Sequence, residues 1–230
     1  DLHVVEHSFP TRRSSDLSFD WDVKVIVFAD NDILIKLAGC DLLIPFCEAV
    51  GAQNTEIFIT QSARFAIPKQ SRKKLTTPEP LEQLKLFIER TETIEQAHTE
   101  TNILDRLIET PNIDGGEAFL ILSAYNIPEA KLATGDKRCL SALLNTPSLI
   151  DIANGLGGRV YTLETALLIL ISRLGFDSVN HRVINRCVTD GTLSLAFGVG
   201  RSIDNAIECL SSYCSDLTPL LSDTHLIKKL

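Results

Sequence analysis

The sequence predicts an α/β fold with a mainly parallel sheet, on three observations. A β-branched run, Val23-Lys-Val-Ile-Val-Phe-Ala29, stops on Asp30-Asn31-Asp32, as a buried strand does where it leaves a sheet. A helical segment from Ile113 to Ala124, a strand Lys131-Leu-Ala-Thr134 and a helix opened by Gly135-Asp136-Lys137 then follow one another. Gly158-Arg-Val-Tyr-Thr162 and the helical stretch Leu163 to Leu174 repeat the unit. Strand and helix in strict alternation are the mark of parallel strands joined by right-handed crossovers.

Along the chain, residues 1–17 show neither a period of 2 nor one of 3.6. Their stretch Pro10-Thr-Arg-Arg-Ser-Ser-Asp-Leu17 resembles translated adapter sequence, so the segment reads as a non-native or disordered leader in which His3 and His7 carry no function. After the first strand, Ile33 to Leu37 and Leu42 to Val50 read as helices. Glu56-Ile-Phe-Ile-Thr60 reads as a second strand running into Gln61 to Ile67. Pro68 through Pro80 reads as a polar, basic loop. Helical spacing returns with Leu84, Phe87 and Ile88, and again with Ile103, Leu104, Leu107 and Ile108. Beyond Gly175 the pattern is helical, with breaks at Gly191, Gly198 and Gly200. The expected organisation is an α/β domain over residues 18–175 and a helical C-terminal extension over 176–230. The sequence leaves open whether that extension is an appendage, a homodimer surface or both.

Composition narrows the function classes. The 230 residues carry 22 Lys+Arg against 30 Asp+Glu, a net charge of −8, so nucleic acid is not coated by bulk electrostatics and any contact with it must be local. The richest apolar run, Ala166-Leu-Leu-Ile-Leu-Ile171, is far short of the ~20 residues that span a bilayer, which argues against a membrane partner. No apolar h-region of signal-peptide length stands at the amino terminus. Six cysteines occur without a C-x-x-C pair and read as reduced core thiols of a cytoplasmic protein.

Polar residues placed directly after parallel strands face the crevice where ligands bind. Asp30 follows the first strand, Asp136 follows the strand at Leu132, and Glu117 lies in the first turn of the preceding helix. Each acid has an ordinary reading as a helix cap: Asp32 before Ile33, Asp114 with Glu117 as a capping box, Asp136 before Lys137. Capping explains any one of them and the ensemble less well. Acids converging on one sheet edge repel each other unless a cation intervenes, and hard oxygen ligands suit Mg²⁺ or Mn²⁺.

The runs Ile26-Val-Phe-Ala-Asp-Asn-Asp-Ile-Leu-Ile35, Gly116-Glu-Ala-Phe-Leu-Ile-Leu-Ser-Ala124 and Leu132-Ala-Thr-Gly-Asp-Lys137 resemble, in order and spacing, the successive motifs of PIN-domain nucleases over roughly residues 22 to 175. The resemblance implies a three-layer α/β/α sandwich and Mg²⁺- or Mn²⁺-dependent cleavage of single-stranded RNA, often by the toxin of a toxin–antitoxin pair, with an antitoxin protein as partner. It assigns Asp30, Glu117 and Asp136 as catalytic metal ligands, with Asp32 and Asp114 as auxiliary ligands or water-positioning groups.

Two positions depart from the family pattern. The acid usual on the helix after the second strand is absent from Thr60-Gln-Ser-Ala-Arg-Phe-Ala66, where Arg64 stands near its place, and no further acid closely follows Asp136. A catalytically degenerate RNA- or protein-binding module is therefore an alternative. A haloacid-dehalogenase-like phosphatase, suggested by Asp30-x-Asp32, is a weaker one, since it would need a second aspartate after Gly135-Asp136. Arg64, Lys69, Arg72, Lys73 and Lys74 form the strongest positive cluster of an acidic chain. They are expected either to track RNA phosphates or simply to solvate a loop.

Overall fold

A computed structural model describes residues 25–94 and 101–227; the predicted leader and the first residues of the predicted first strand lie outside them. Five strands, β1 (Val27–Ala29), β2 (Ile57–Ile59), β3 (Glu92–Thr93), β4 (Lys131–Ala133) and β5 (Val160–Tyr161), form one all-parallel sheet in the order β3-β2-β1-β4-β5. The expected α/β class with a mainly parallel sheet is therefore correct. From β1 the chain first builds outward through β2 to β3, then returns to add β4 and β5 on the other side. The reversal falls between β1 and β4, and in open parallel sheets such a switch point opens the ligand-binding crevice.

Strands β1, β2, β4 and β5 pack on both faces. Val27, Ala29, Ile57, Ile59, Ala133 and Tyr161 enter one hydrophobic cluster, whereas their sequence neighbours Phe28, Leu132 and Val160 enter another. This is the period-2 alternation of a strand with packing on either side. The first cluster is filled by α1 (Asn31–Gly39), α2 (Leu43–Val50), α3 (Ala63–Lys74), α4 (Glu79–Glu89) and α9 (Leu163–Leu174). The second is filled by α5 (Thr101–Ile108), α6 (Gly115–Asn126), α7 (Lys137–Asn145) and α8 (Ile150–Gly155). Helix α9, buried along Leu163–Ile171, contains the apolar run and starts at a reciprocal Thr162/Thr165 capping box. None of the described helices is long and apolar enough to cross a membrane.

Two sequence expectations need correction. The segment after Ile67 is not a loop: α3 runs through Pro68 to Lys74. The proline removes one backbone donor, but Ala63, Ile67 and Ser71 hold a buried stripe at helical spacing. The residue capping α1 is Asp30, not Asp32: the Asp30 carboxylate accepts from Ile33 N at 2.8 Å.

Residues 176–227 contribute to both clusters. Helices α10 (Phe176–Ile184), α11 (Gly191–Ala196) and α12 (Ile203–Cys214) bury Val179, Val183, Leu193 and Leu210 in the first. Leu217, Leu220 and Leu221 enter the second, and Leu221 forms a parallel bridge with Val160 beside β5. Residues 187 and 188 thread between the ends of α1 and α3, where Cys187 N donates to Gly39 O at 2.7 Å and Leu75 bridges Val188. A Cβ on Gly39 would sit 2.6 Å from Val188 Cβ. Alanine favours a helix over glycine by roughly 0.5–1 kcal/mol, but overpacking at a rigid contact costs about 1–3 kcal/mol. Gly39→Ala is therefore expected to destabilise the protein in denaturant titrations, and a raised midpoint would refute the close packing.

Candidate functional site

The β1–β4 pairing brings Ala29 level with Ala133, so Asp30 and Thr134 leave adjacent strands side by side. Asp30 N donates to Ala133 O at 2.9 Å, which fixes the backbone. The Asp30 side chain then accepts from Ile33 N (2.8 Å) through Oδ1, and from Thr134 Oγ1 (2.5 Å) and Gly135 N (2.9 Å) through Oδ2. Three of the four lone-pair positions of the carboxylate are thus engaged, and one on Oδ1 stays uncommitted. Burial pushes its pKa up, and the three hydrogen bonds oppose that shift without cancelling it.

Asp136, also at the end of a strand, caps α7 by accepting from Arg138 N (2.8 Å) and Cys139 N (3.2 Å) on Oδ1. Its Oδ2 meets only the exposed Arg138 guanidinium at 3.2 Å. Burial works against its ionisation, but these hydrogen bonds together hold the carboxyl below its ordinary value.

The third acid comes from the start of α6. Asp114 Oδ1 accepts from Glu117 N and Glu117 Oε2 accepts from Asp114 N, each at 2.8 Å, completing the capping box expected from the sequence. Burial first, and then the negative charges of Asp114, Asp136 and Asp30, raise Glu117 to about 7. The acids therefore act on one another through a shared electrostatic environment.

Asp30, Asp32, Asp114, Glu117 and Asp136 line a single cavity of about 520 Å³, and no cationic side chain lines it among the described residues. Capping and convergence are both real: each acid finishes or supports a helix start, and those starts surround one hollow. Among the described residues, no group of three or more His, Cys, Asp or Glu side chains is already arranged to hold a metal ion. The donor set itself, carboxylate oxygens with uncommitted lone pairs, has the chemistry of a hard divalent cation site.

The auxiliary residues divide. Asp114 stays at the cavity within its capping box. Asp32 has both oxygens engaged, Oδ2 by Lys36 at 2.7 Å and Oδ1 by Lys74 at 2.5 Å, and these lysines hold its carboxyl low against the effect of burial. Lys36 also pairs with Asp190, the cap of α11, at 2.9 Å. Gly135 admits this arrangement, since a Cβ there would lie 2.6 Å from Asp32 Oδ2.

The basic stretch is likewise split. Lys69, Arg72 and Lys73 are exposed on α3, Lys74 gives one hydrogen bond to Asp32, and Arg64 donates to Thr91 O at 3.0 Å and does not line the cavity. The cavity faces α3 at Ser62, Ala66 and Gln70, a spacing of four that carries no acid. Sequence reasoning missed Phe65, whose side chain is 83% exposed beside Lys69 and Arg72 on the outer face of that helix. The available signal was phase, because Phe65 lies off the Ala63–Ile67–Ser71 stripe. All six cysteines are free.

Comparison of the chain with family models, with curated proteins and with solved structures finds no match.

Proposed function

We propose that this chain is a PIN-like α/β/α domain of three layers acting as a metal-dependent endoribonuclease on single-stranded RNA, with Asp30, Glu117 and Asp136 as ligands of Mg²⁺ or Mn²⁺. The observation that carries the reading is the cavity at the sheet's switch point, lined by five carboxylates with no cationic side chain among the described residues. Two hydrophobic clusters separated by the alternating sides of the strands support the layering. The free cysteines suit a reducing, cytoplasmic setting, and the reading extends to a toxin restrained by an antitoxin protein.

A bound divalent ion would polarise a phosphoryl oxygen and make a coordinated water more acidic. The chain's own part is positional. Thr134 and Gly135 clamp one oxygen of Asp30 so that the carboxylate cannot swing, and the first turn of α7 does the same for Asp136. Glu117 has one oxygen in its capping box and holds a proton up to about 7, which limits the negative charge in the cavity.

One observation favours a second reading, a degenerate binding module: Asp32 is neutralised by two lysines, and the α3 positions facing the cavity have no acid to replace it. Cleavage of single-stranded RNA by the parent, Asp30→Asn and Asp136→Asn, in Mg²⁺ or Mn²⁺ and in EDTA, separates the two. The nuclease reading expects metal-dependent cleavage that falls roughly a hundredfold or more in each variant. Equal, EDTA-insensitive cleavage in all three excludes the metal site, and no cleavage by any of them favours the binding module.

A further inference from the structure

The acidic cavity is the middle of three hollows that share walls. On one side it shares Thr60, Ser62, Gly115 and Gly116 with a hollow of about 310 Å³ that also presents Ile94 and Phe119 and has no charged lining residue. On the other it shares Asp32 and Asp136 with a hollow of about 470 Å³ that presents Lys74, Lys137 and Arg138. We infer that the three form one polarised track for a single-stranded polynucleotide, with an unpaired nucleobase in the Ile94–Phe119 hollow and a backbone phosphate at Lys74 and Arg138, on either side of the acids.

Chemistry distinguishes the ends. The first hollow offers an aromatic ring, an aliphatic side chain and the bare start of α6, where a planar base can approach the backbone. A Cβ on Gly115 would meet nothing within 4 Å, so the glycine leaves that floor open and is not filling a packing constraint. The last hollow sets three cations against two carboxylates, but Lys137 is already paired with the buried Glu164 at 2.8 Å and lies over the Tyr213 ring, which leaves Lys74 and Arg138 as the cations for a ligand. Lys74 and Arg138 each spend a hydrogen bond on an acid, Asp32 and Asp136, yet their side chains are 41% and 81% exposed, with donors to spare for phosphate. An acidic peptide would suit the cationic end and be repelled by the middle. A polynucleotide suits both ends and crosses the middle where a divalent ion neutralises it. The inference rests on the nuclease reading for what happens at the acids, but the track makes its own demands on binding.

The test is fluorescence anisotropy of a labelled single-stranded RNA octamer on the full chain, with Ca²⁺ present, over a salt series. Gly115→Leu, placed on the floor, is expected to weaken binding about tenfold or more with the salt slope and the melting temperature unchanged. Lys74→Gln with Arg138→Gln is expected to weaken binding and to flatten the log–log salt slope by about 0.7, the worth of the one phosphate held there. Parental binding by both Gly115→Leu and the double variant, or parental slope in the latter, overturns the track; so does a parent protein that binds no RNA. Metal-dependent cleavage with such variant-insensitive binding would sink the track and spare the nuclease reading. The expected binding pattern without cleavage would do the reverse.

Discussion

Raising the pH from about 5 to 8 is expected to destabilise the ion-free protein, and Glu117→Gln is expected to reduce that loss measurably, the buried Asp30 being shifted in the same direction. Glu117 is raised from 4.5 to about 7 by burial and by three neighbouring acids. A carboxyl with a raised folded-state pKa stabilises the fold through its neutral form. That contribution is complete below about 4.5 and is lost as the pH climbs through about 7. Asp32 and Asp136 are shifted the other way, so their contributions fade only as the pH falls into the acid range below 3.8, outside this window. Glutamine is uncharged but can still accept the Asp114 N–H, so the capping box survives and the variant isolates the charge. A divalent ion at the proposed site would have to displace the same proton. The affinity for Mg²⁺, read by calorimetry, is therefore expected to rise about tenfold per pH unit below about 7, roughly a hundredfold from pH 5 to 7, and to level off above. Melting temperatures and Mg²⁺ affinities that ignore pH in this interval would show that Glu117 is neither strained nor a ligand.

The legible parts of the fold were those dictated by local chemistry. Val27–Ala29 and Lys131–Ala133 announce themselves as β-branched or apolar runs cut short by Asp30 and Asp136, and Asp114-x-x-Glu117 is a capping box in sequence as in space. The same strand ends located the acids, because a parallel sheet delivers the residues after its strands to one edge. What was not legible depends on long-range contact. Glu92–Thr93 is a strand only because β2 offers it an edge, and nothing in two residues signals that. Pro68 suggests a break, but packing of Ile67 and Ser71 outweighs one lost hydrogen bond. Asp32 reads as a ligand or a cap, and only the return of α3 reveals that Lys74, 42 residues on, occupies its carboxylate. The composition of the cluster around Arg64 gave its charge and not its division between outer face, strand end and acid.

Replacing Arg159 by alanine is expected to destabilise the protein through the ends of α6 and α8 and not through its core. Among the described residues the guanidinium forms no ion pair with a carboxylate, although the charge of Glu129 acts on it. The two N–H groups of its Nη1 are shared among Ala124 O (3.0 Å), Ile127 O (2.7 Å), Pro128 O (2.7 Å) and Ala130 O (3.3 Å), and Nη2 donates to Gly155 O. These carbonyls close α6, start β4 and close α8. Helix ends leave carbonyls without intrahelical donors, and a cation near the negative end of the dipole is favoured. Burial lowers the pKa of the arginine, so the charge is partly desolvated and is held by carbonyl dipoles. Alanine would strand several carbonyls at once, at a cost of about 1–3 kcal/mol for each that water cannot reach. A net loss of about 3 kcal/mol is expected, a fall of roughly 6–12 °C in melting temperature for a chain of this size. Lysine keeps the charge but presents a compact ammonium where a planar fork is used, so Arg159→Lys should recover less than half of the loss. Because Glu117 stands at the other end of α6, the damage should appear in stability and leave the pH dependence of Mg²⁺ binding intact below the melting transition. A variant as stable as the parent would mean that water satisfies those carbonyls, and that the α6–β4 connection holds its shape without the arginine.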